Sequence, residues 1–208
     1  MEEVAAEVLQ QMNAHPLMRA LWRPRLLEAL KWAEQTIAAF DGRTPVLFEK
    51  SGQIEIKDIT IKGKADRIDV LEDGGLAIVD YKTGKSPSGP QVAKGFALQL
   101  GTIGLIAERG GFEGIEGEAR KFEYWSLAKS DKSDTGFGYV ASPVKDGRNQ
   151  SQIEPLDFLP MAEDMLHDAL DRWILGDEPF TARLNPDAVS YNTYDQLMRL
   201  DEWMGREE

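Results

Sequence analysis

The stretch KGKADRIDVLEDGGLAIVDYKTGK (62–85) reads as two short apolar runs around a turn, yet its open end carries two aspartates and a lysine. Runs rich in Ile and Val on either side of Asp73-Gly74-Gly75 predict a β-hairpin. Side chains alternate along a strand, so Asp80 and Lys82 share one face, and Asp66, Ile68 and Val70 share one. Whether those faces coincide depends on the turn. A two-residue loop at Asp73-Gly74 pairs Glu72 with Gly75 and turns Asp66 away from Asp80. A three-residue loop, Asp73-Gly74-Gly75, pairs Glu72 with Leu76, sets Asp66 opposite Lys82 and Ile68 opposite Asp80. The two carboxylates are then diagonal neighbours, about 7–8 Å apart at Cα. From there both can reach one hard cation at about 2.0–2.5 Å. An isolated Asp-x-Lys triplet is more simply a solvent-facing strand end, with its charges weakly paired. The second carboxylate changes the balance, because like charges held together need a cation or a proton, and Lys82 relieves them only in part.

The chemistry open to such a site is bounded by composition. The chain has 208 residues, 42% of them hydrophobic, enough for one sizeable core. It has no cysteine, which excludes disulfides, zinc–thiolate sites and cysteine-ligated iron–sulfur clusters and fits a reducing cytoplasm. His15 and His167 are its only histidines, so a metal here rests on oxygen ligands: magnesium, manganese or calcium. No apolar run approaches bilayer length, and the acidic, amphipathic start MEEVAAEVLQQMN is unlike a signal or transit peptide. The net charge of −12 counts against a free-standing nucleic-acid binder.

Around the hairpin, apolar spacing predicts helices over 3–13 and 16–40, the latter interrupted at Pro24, and a turn at 41–45. Residues 46–84 are β territory. A helix is expected over 91–109, closed by Gly110-Gly111, then strands at 121–130 and 138–141 and helices at 155–176 and 193–205. The order describes an α/β domain with a mixed sheet between helices. On the 91–109 helix, Val92, Phe96, Gln99, Ile103 and Ile106 form one stripe, so Gln99 is a polar residue on an apolar face. A buried amide satisfied by backbone and a site role weigh nearly equally there. Arg67 and Asp69 fall on the face away from Asp66 and read as a structural pair.

GKADRID (63–69) followed by VDYKTG (79–84) resembles the core of the PD-(D/E)XK nucleases of the RecB type. GGLAIVDYKTGKSPSGPQVAKGFALQL (74–100), LWRPRLLEALKW (21–32) and YDQLMRLDEWMG (194–205) are similar to the C-terminal nuclease domain of the B subunit of AddAB-type helicase-nucleases, which process double-strand breaks. The resemblance implies a restriction-endonuclease-like α/β fold, a mixed central sheet flanked by helices. It implies a magnesium- or manganese-dependent (exo)deoxyribonuclease acting on single-stranded DNA ends unwound by an AddA-type helicase-nuclease subunit. Carried over, the two metal carboxylates are Asp66 and Asp80, with the Tyr81 main-chain carbonyl as a further ligand. Lys82 stands near the attacking water, and Gln99 is the glutamine of the next helix. Glu49 sits where relatives often place an acidic residue near the metal, although a surface glutamate is the simpler reading.

Three features depart from that pattern. Ile103 stands where many relatives have a tyrosine, no histidine-bearing segment matches the N-terminal residues, and the four-cysteine cluster of some relatives is missing. The chain then reads as a single nuclease domain over 1–208, a fragment lacking the histidine segment. Those departures and the acidic charge sustain an alternative, a catalytically silent scaffold that binds DNA or the helicase subunit.

Overall fold

Gly74 sets the central hairpin. In the computed structural model, which describes residues 4, 7, 8, 16–145 and 152–180, its φ of +79° places it in the left-handed region. The Gly74 N–H donates to the Leu71 carbonyl at 2.9 Å, and the Leu71 N–H donates to the Gly75 carbonyl at 2.8 Å. The loop therefore has the three residues expected, but they are Glu72-Asp73-Gly74 rather than Asp73-Gly74-Gly75. The shift has two causes. Glycine takes the third loop position, where positive φ is required, and the Asp73 carboxylate holds the Gly75 N–H at 3.0 Å, leaving Gly75 to begin the return strand.

The hairpin strands are β2 (Ile59–Leu71) and β3 (Leu76–Lys82). With β1 (Arg43–Ile56), β4 (Ala119–Lys129) and β5 (Phe137–Ala141) they form one sheet in chain order. All neighbours are antiparallel except β3 and β4, which run parallel. This mixed sheet flanked by helices is the restriction-endonuclease-like architecture anticipated. A parallel pair needs a long crossover, and it is supplied by α2 (Gly89–Ala93) and α3 (Gln99–Glu108). The single helix expected over 91–109 is thus two. Gly95, at φ +80°, ends α2: its N–H donates to the Val92 carbonyl and the Phe96 N–H to that of Gln91, a Schellman close. Gly110 and Gly111 end α3 the same way, with N–H bonds to Ala107 and Ile106.

One sheet face receives α3. A Cβ on Gly63 of β2 would meet the Ile103 and Ile106 side chains at 2.6 and 2.9 Å. A Cβ on Gly104 would stand 2.7 Å from the Phe122 ring of β4 and 2.9 Å from Leu159 of the helix α4 (Pro155–Ala169). Glycines on α3 thus let it lie tightly between sheet and α4. The other face packs on α1 (Pro16–Ala39), through Trp32 against Trp125 at 5.9 Å between rings, with Val79 alongside. Helix α1 runs through Pro24 without the break expected. The proline removes one N–H, and the Ala20 carbonyl it would have served lies on an exposed stretch where water substitutes.

Behind the site strands, on the α1 face, lies a buried charge network. Asp69 is 0% exposed and receives Arg67 Nε at 2.6 Å and Arg43 Nε at 2.5 Å. Arg43 Nη1 also donates to Glu123 at 2.9 Å, and Glu123 accepts the Trp125 indole N–H at 2.9 Å. The Arg67–Asp69 pair was legible in the sequence; its two outer partners were not.

The chain divides into two compact units, residues 1–165 and 166–208. In the second, a π-helical turn (Leu170–Ile174) places Arg172 against Asp168 and Glu178, and Trp173 stacks on Phe180 at 6.3 Å. Most of the helix anticipated at 3–13 and all of that at 193–205 lie outside the described residues.

Removing one partner from a buried ion network strands the others, at a cost of about 3–5 kcal/mol. Asp69→Ala, which leaves Arg43 and Arg67 buried without their shared carboxylate, should lower unfolding free energy by about that amount in urea titration. A loss below about 1 kcal/mol would show that the network does not hold the sheet.

Candidate metal-dependent nuclease site

The site lies where the β2–β3 ladder ends. The last pairs are Ile68 with Ile78 and Arg67 with Val79, so one further step brings Asp66 level with Asp80. The diagonal arrangement, with Asp66 across from Lys82 and Ile68 across from Asp80, is corrected to a direct one. The register slips by two residues because the loop sits one residue earlier. An even slip preserves faces, so the convergence anticipated survives.

Asp66 takes over the work of the ladder. Its Oδ2 accepts the Tyr81 main-chain N–H at 2.8 Å, so the carboxylate bridges β2 to β3 where strand pairing stops. β2 is covered on both faces just beyond it: Arg67, Ile68 and Asp69 are all buried. Across from Asp66, between the pairs Phe48–Arg67 and Lys50–Ala65, stands Glu49 with φ +50°. A left-handed residue inside a strand interrupts its alternation.

Asp80 is buried at 4% exposure, with its Oδ2 2.7 Å from Lys82 Nζ. The ammonium approaches too obliquely for a hydrogen bond, so this oxygen has none. Burial pushes the Asp80 pKa up, and the Asp66 charge adds to the rise; Lys82 opposes both. Lys82 Nζ also donates to Gln99 Oε1 at 2.8 Å. Gln99 is the first residue of α3 and is exposed. The buried amide on a continuous apolar stripe is therefore corrected: the Gly95 break divides that stripe and leaves Phe96 50% exposed. From the mouth of α3, Gln99 reaches the lysine directly.

The structure thus brings Asp66, Asp80, Lys82 and Gln99 to one sheet end. The main chain of Tyr81 lies between the two site residues of β3, its N–H committed to Asp66. Its ring packs edge-on against Trp125 at 5.9 Å, and its hydroxyl accepts Arg67 Nη1 at 3.4 Å. Glu49 is exposed and engaged by Lys64. Among the described residues, no three carboxylate, imidazole or thiolate side chains gather as a metal cage. The acidic side chains available to a cation here are Asp66 and Asp80. They suit a hard divalent ion, because two neighbouring carboxylates, one of them buried, have only the Lys82 ammonium to offset their charge.

Tyr124 was missed in the sequence. It pairs with Asp80 across the parallel β3–β4 ladder, and Lys82 Nζ lies 5.8 Å from its ring centroid. Burial raises its pKa strongly, with the Asp80 charge as a second cause. Alternation within FEYWS places Tyr124 on the Phe122 face, but its level on β3 depends on a pairing that no local sequence signal fixes.

A mixed sheet with two carboxylates and a lysine converging at the end of a hairpin is the arrangement that defines the PD-(D/E)XK class. The family model of the PD-(D/E)XK nuclease superfamily matches residues 1–187, and the chain belongs to that superfamily. It is also similar to two uncharacterized proteins, RC0550 of Rickettsia conorii and one of Rickettsia felis. Each is 34% identical over 71 residues, which cover 32% of this chain and 8% of the relative. The chain thus spans a small part of those relatives. Among solved structures, the crystal structure of SSO0001 aligns over 85% of this chain and 69% of its own, with 16% identity and a TM-score of 0.34.

Asp80 gives a prediction with a definite sign. A carboxyl whose pKa is raised by folding binds more protons folded than unfolded, so its ionisation weakens the fold as pH rises above the ordinary value near 3.8. Without metal, Asp80→Asn should therefore be as stable as wild type or more so at pH 7. The advantage should fade as pH falls toward 4. Thermal melts across that range check it, and a variant clearly less stable at pH 7 would contradict the electrostatic reading.

Proposed function

We propose that this chain is a magnesium- or manganese-dependent nuclease domain that hydrolyses phosphodiester bonds of DNA. The observation that carries the reading is the meeting of two carboxylates at one sheet end, Asp80 buried and level with Asp66, with the Lys82–Gln99 pair beside them. Asp66 and Asp80 would hold the cation, with the Tyr81 carbonyl as a third ligand and Glu49 as a further acidic contributor. A divalent ion bound there supplies Lewis acidity toward the phosphate and lowers the pKa of water. Asp66 would fix the geometry, since its other role is to clamp the Tyr81 N–H. Lys82 would place positive charge against the phosphate as negative charge develops on it, and Gln99 would aim the ammonium. No covalent intermediate is required.

The finer reading is a RecB-type exonuclease acting in the cytoplasm on single-stranded ends, delivered by an AddA-type helicase subunit during double-strand break repair. Its support is the motif resemblance of the hairpin and flanking segments. A cavity of about 590 Å³ beside Thr83, the residue after Lys82, adds to it: Trp22 and Phe137 line it with Arg25 and Lys129. Aromatic rings with cations suit stacked bases and their phosphates. A strand handed over by a partner also fits the net charge of −12, which disfavours unaided capture. That charge equally favours a second reading, a silent scaffold that binds DNA or the helicase subunit.

Calorimetric titration with manganese separates the two. The nuclease should bind Mn²⁺ saturably, lose binding in Asp66→Ala and Asp80→Ala, and lose at least about 100-fold of any magnesium-dependent cleavage in the assembled complex. Wild-type protein that takes up no manganese would leave the scaffold reading standing.

A further inference from the structure

The Tyr124 hydroxyl has no partner, although the residue is 1% exposed. Buried hydroxyls are nearly always hydrogen-bonded, and those that are not call for an explanation. Phenylalanine would fill the same space without stranding a polar atom. The strand register supplies the explanation, since Tyr124 sits beside Asp80 on the parallel ladder. Paired residues of neighbouring strands point to the same face, so both side chains lie on the α3 side.

Among the described residues, only three buried side-chain polar atoms lack a hydrogen bond: Arg43 Nη2, Asp80 Oδ2 and Tyr124 Oη. Two of the three therefore belong to ladder partners on one face, under the Lys82 ammonium. Their characters are complementary. A carboxylate oxygen only accepts, whereas a phenol donates and also accepts. They are not bonded to each other, and Lys82 Nζ already lies 2.7 Å from Asp80 Oδ2; a water is the smallest species that gives the phenol a partner while sharing that carboxylate.

We propose that Tyr124 is a positioning residue of the cation site. Its hydroxyl holds a water shared with Asp80, fixing the carboxylate in the orientation that accepts a divalent ion. The proposal rests on the metal-dependent nuclease reading and adds a residue to it. Partners of this kind typically change metal affinity about 10–100-fold.

The experiment compares wild type, Tyr124→Phe and Asp80→Asn as full chains, with two readouts: manganese affinity by calorimetry and metal-free melting temperature. Tyr124→Phe should bind Mn²⁺ at least about 10-fold more weakly and leave the metal-free melting temperature close to that of wild type, because the contact removed is to a water and the ring still fills its place. A merely structural tyrosine would instead lower the melting temperature when truncated, and that result would overturn the assignment. Unchanged manganese affinity in Tyr124→Phe would also overturn it. If binding were still lost in Asp80→Asn, the nuclease reading would stand without Tyr124. Wild-type protein that binds no manganese would sink both together.

Discussion

Two arginines and two carboxylates, closed off from solvent behind the sheet, hold the strands whose ends make the site. Asp69 binds Arg43 of β1 and Arg67 of its own strand, and Arg43 carries the link on to Glu123 of β4. The strand between, β3, bears Asp80 and Lys82 and is fixed by what lies on either side. Buried ion pairs add little net stability over apolar packing, but a wrong register would leave charges unpaired at heavy cost. The network therefore acts mainly on specificity. Arg67 also lies over the Trp125 ring at 4.9 Å and Arg43 over Phe40 at 4.7 Å, which ties the charges to the aromatic cluster beneath α1.

The two aspartates on opposite faces of the hairpin are held differently. On the α1 face, Asp69 has both its oxygens bonded. On the α3 face, Asp80 is nearly as buried, keeps one oxygen without a hydrogen bond and has a raised pKa. A protein can carry such a burden when the rest of the sheet is secure, and a perturbed carboxylate of this kind is what makes the α3 face the candidate site.

The sequence revealed much of this for identifiable reasons. Alternation within 62–85 carried the hairpin and the shared face of Asp66 and Asp80, because faces depend only on parity. It missed the register by two residues, since two adjacent glycines offered two places for the left-handed position. Gln99 stands out in the sequence as a polar residue on an apolar stripe, but the helix that carries the stripe is divided at Gly95, and Gln99 meets Lys82 from the start of the second piece. A helical stripe can persist across a short break, so periodicity could not reveal it. Tyr124 and Glu123 were beyond reach for another reason. Their partners lie across a parallel ladder and a long loop closure, and such pairings leave no local trace.

The crossover from β3 to β4 also bears on how the domain is made. Asp66, Asp80, Lys82 and Gln99 have all been synthesised by residue 99, but β4 begins only at Ala119. Until β4 emerges from the ribosome, one edge of β3 lacks its neighbour and the strand has no floor beneath Asp80. At about 5–20 residues per second, that interval lasts on the order of a second or more. A nascent chain therefore holds all four candidate site residues before it holds the architecture that aligns them.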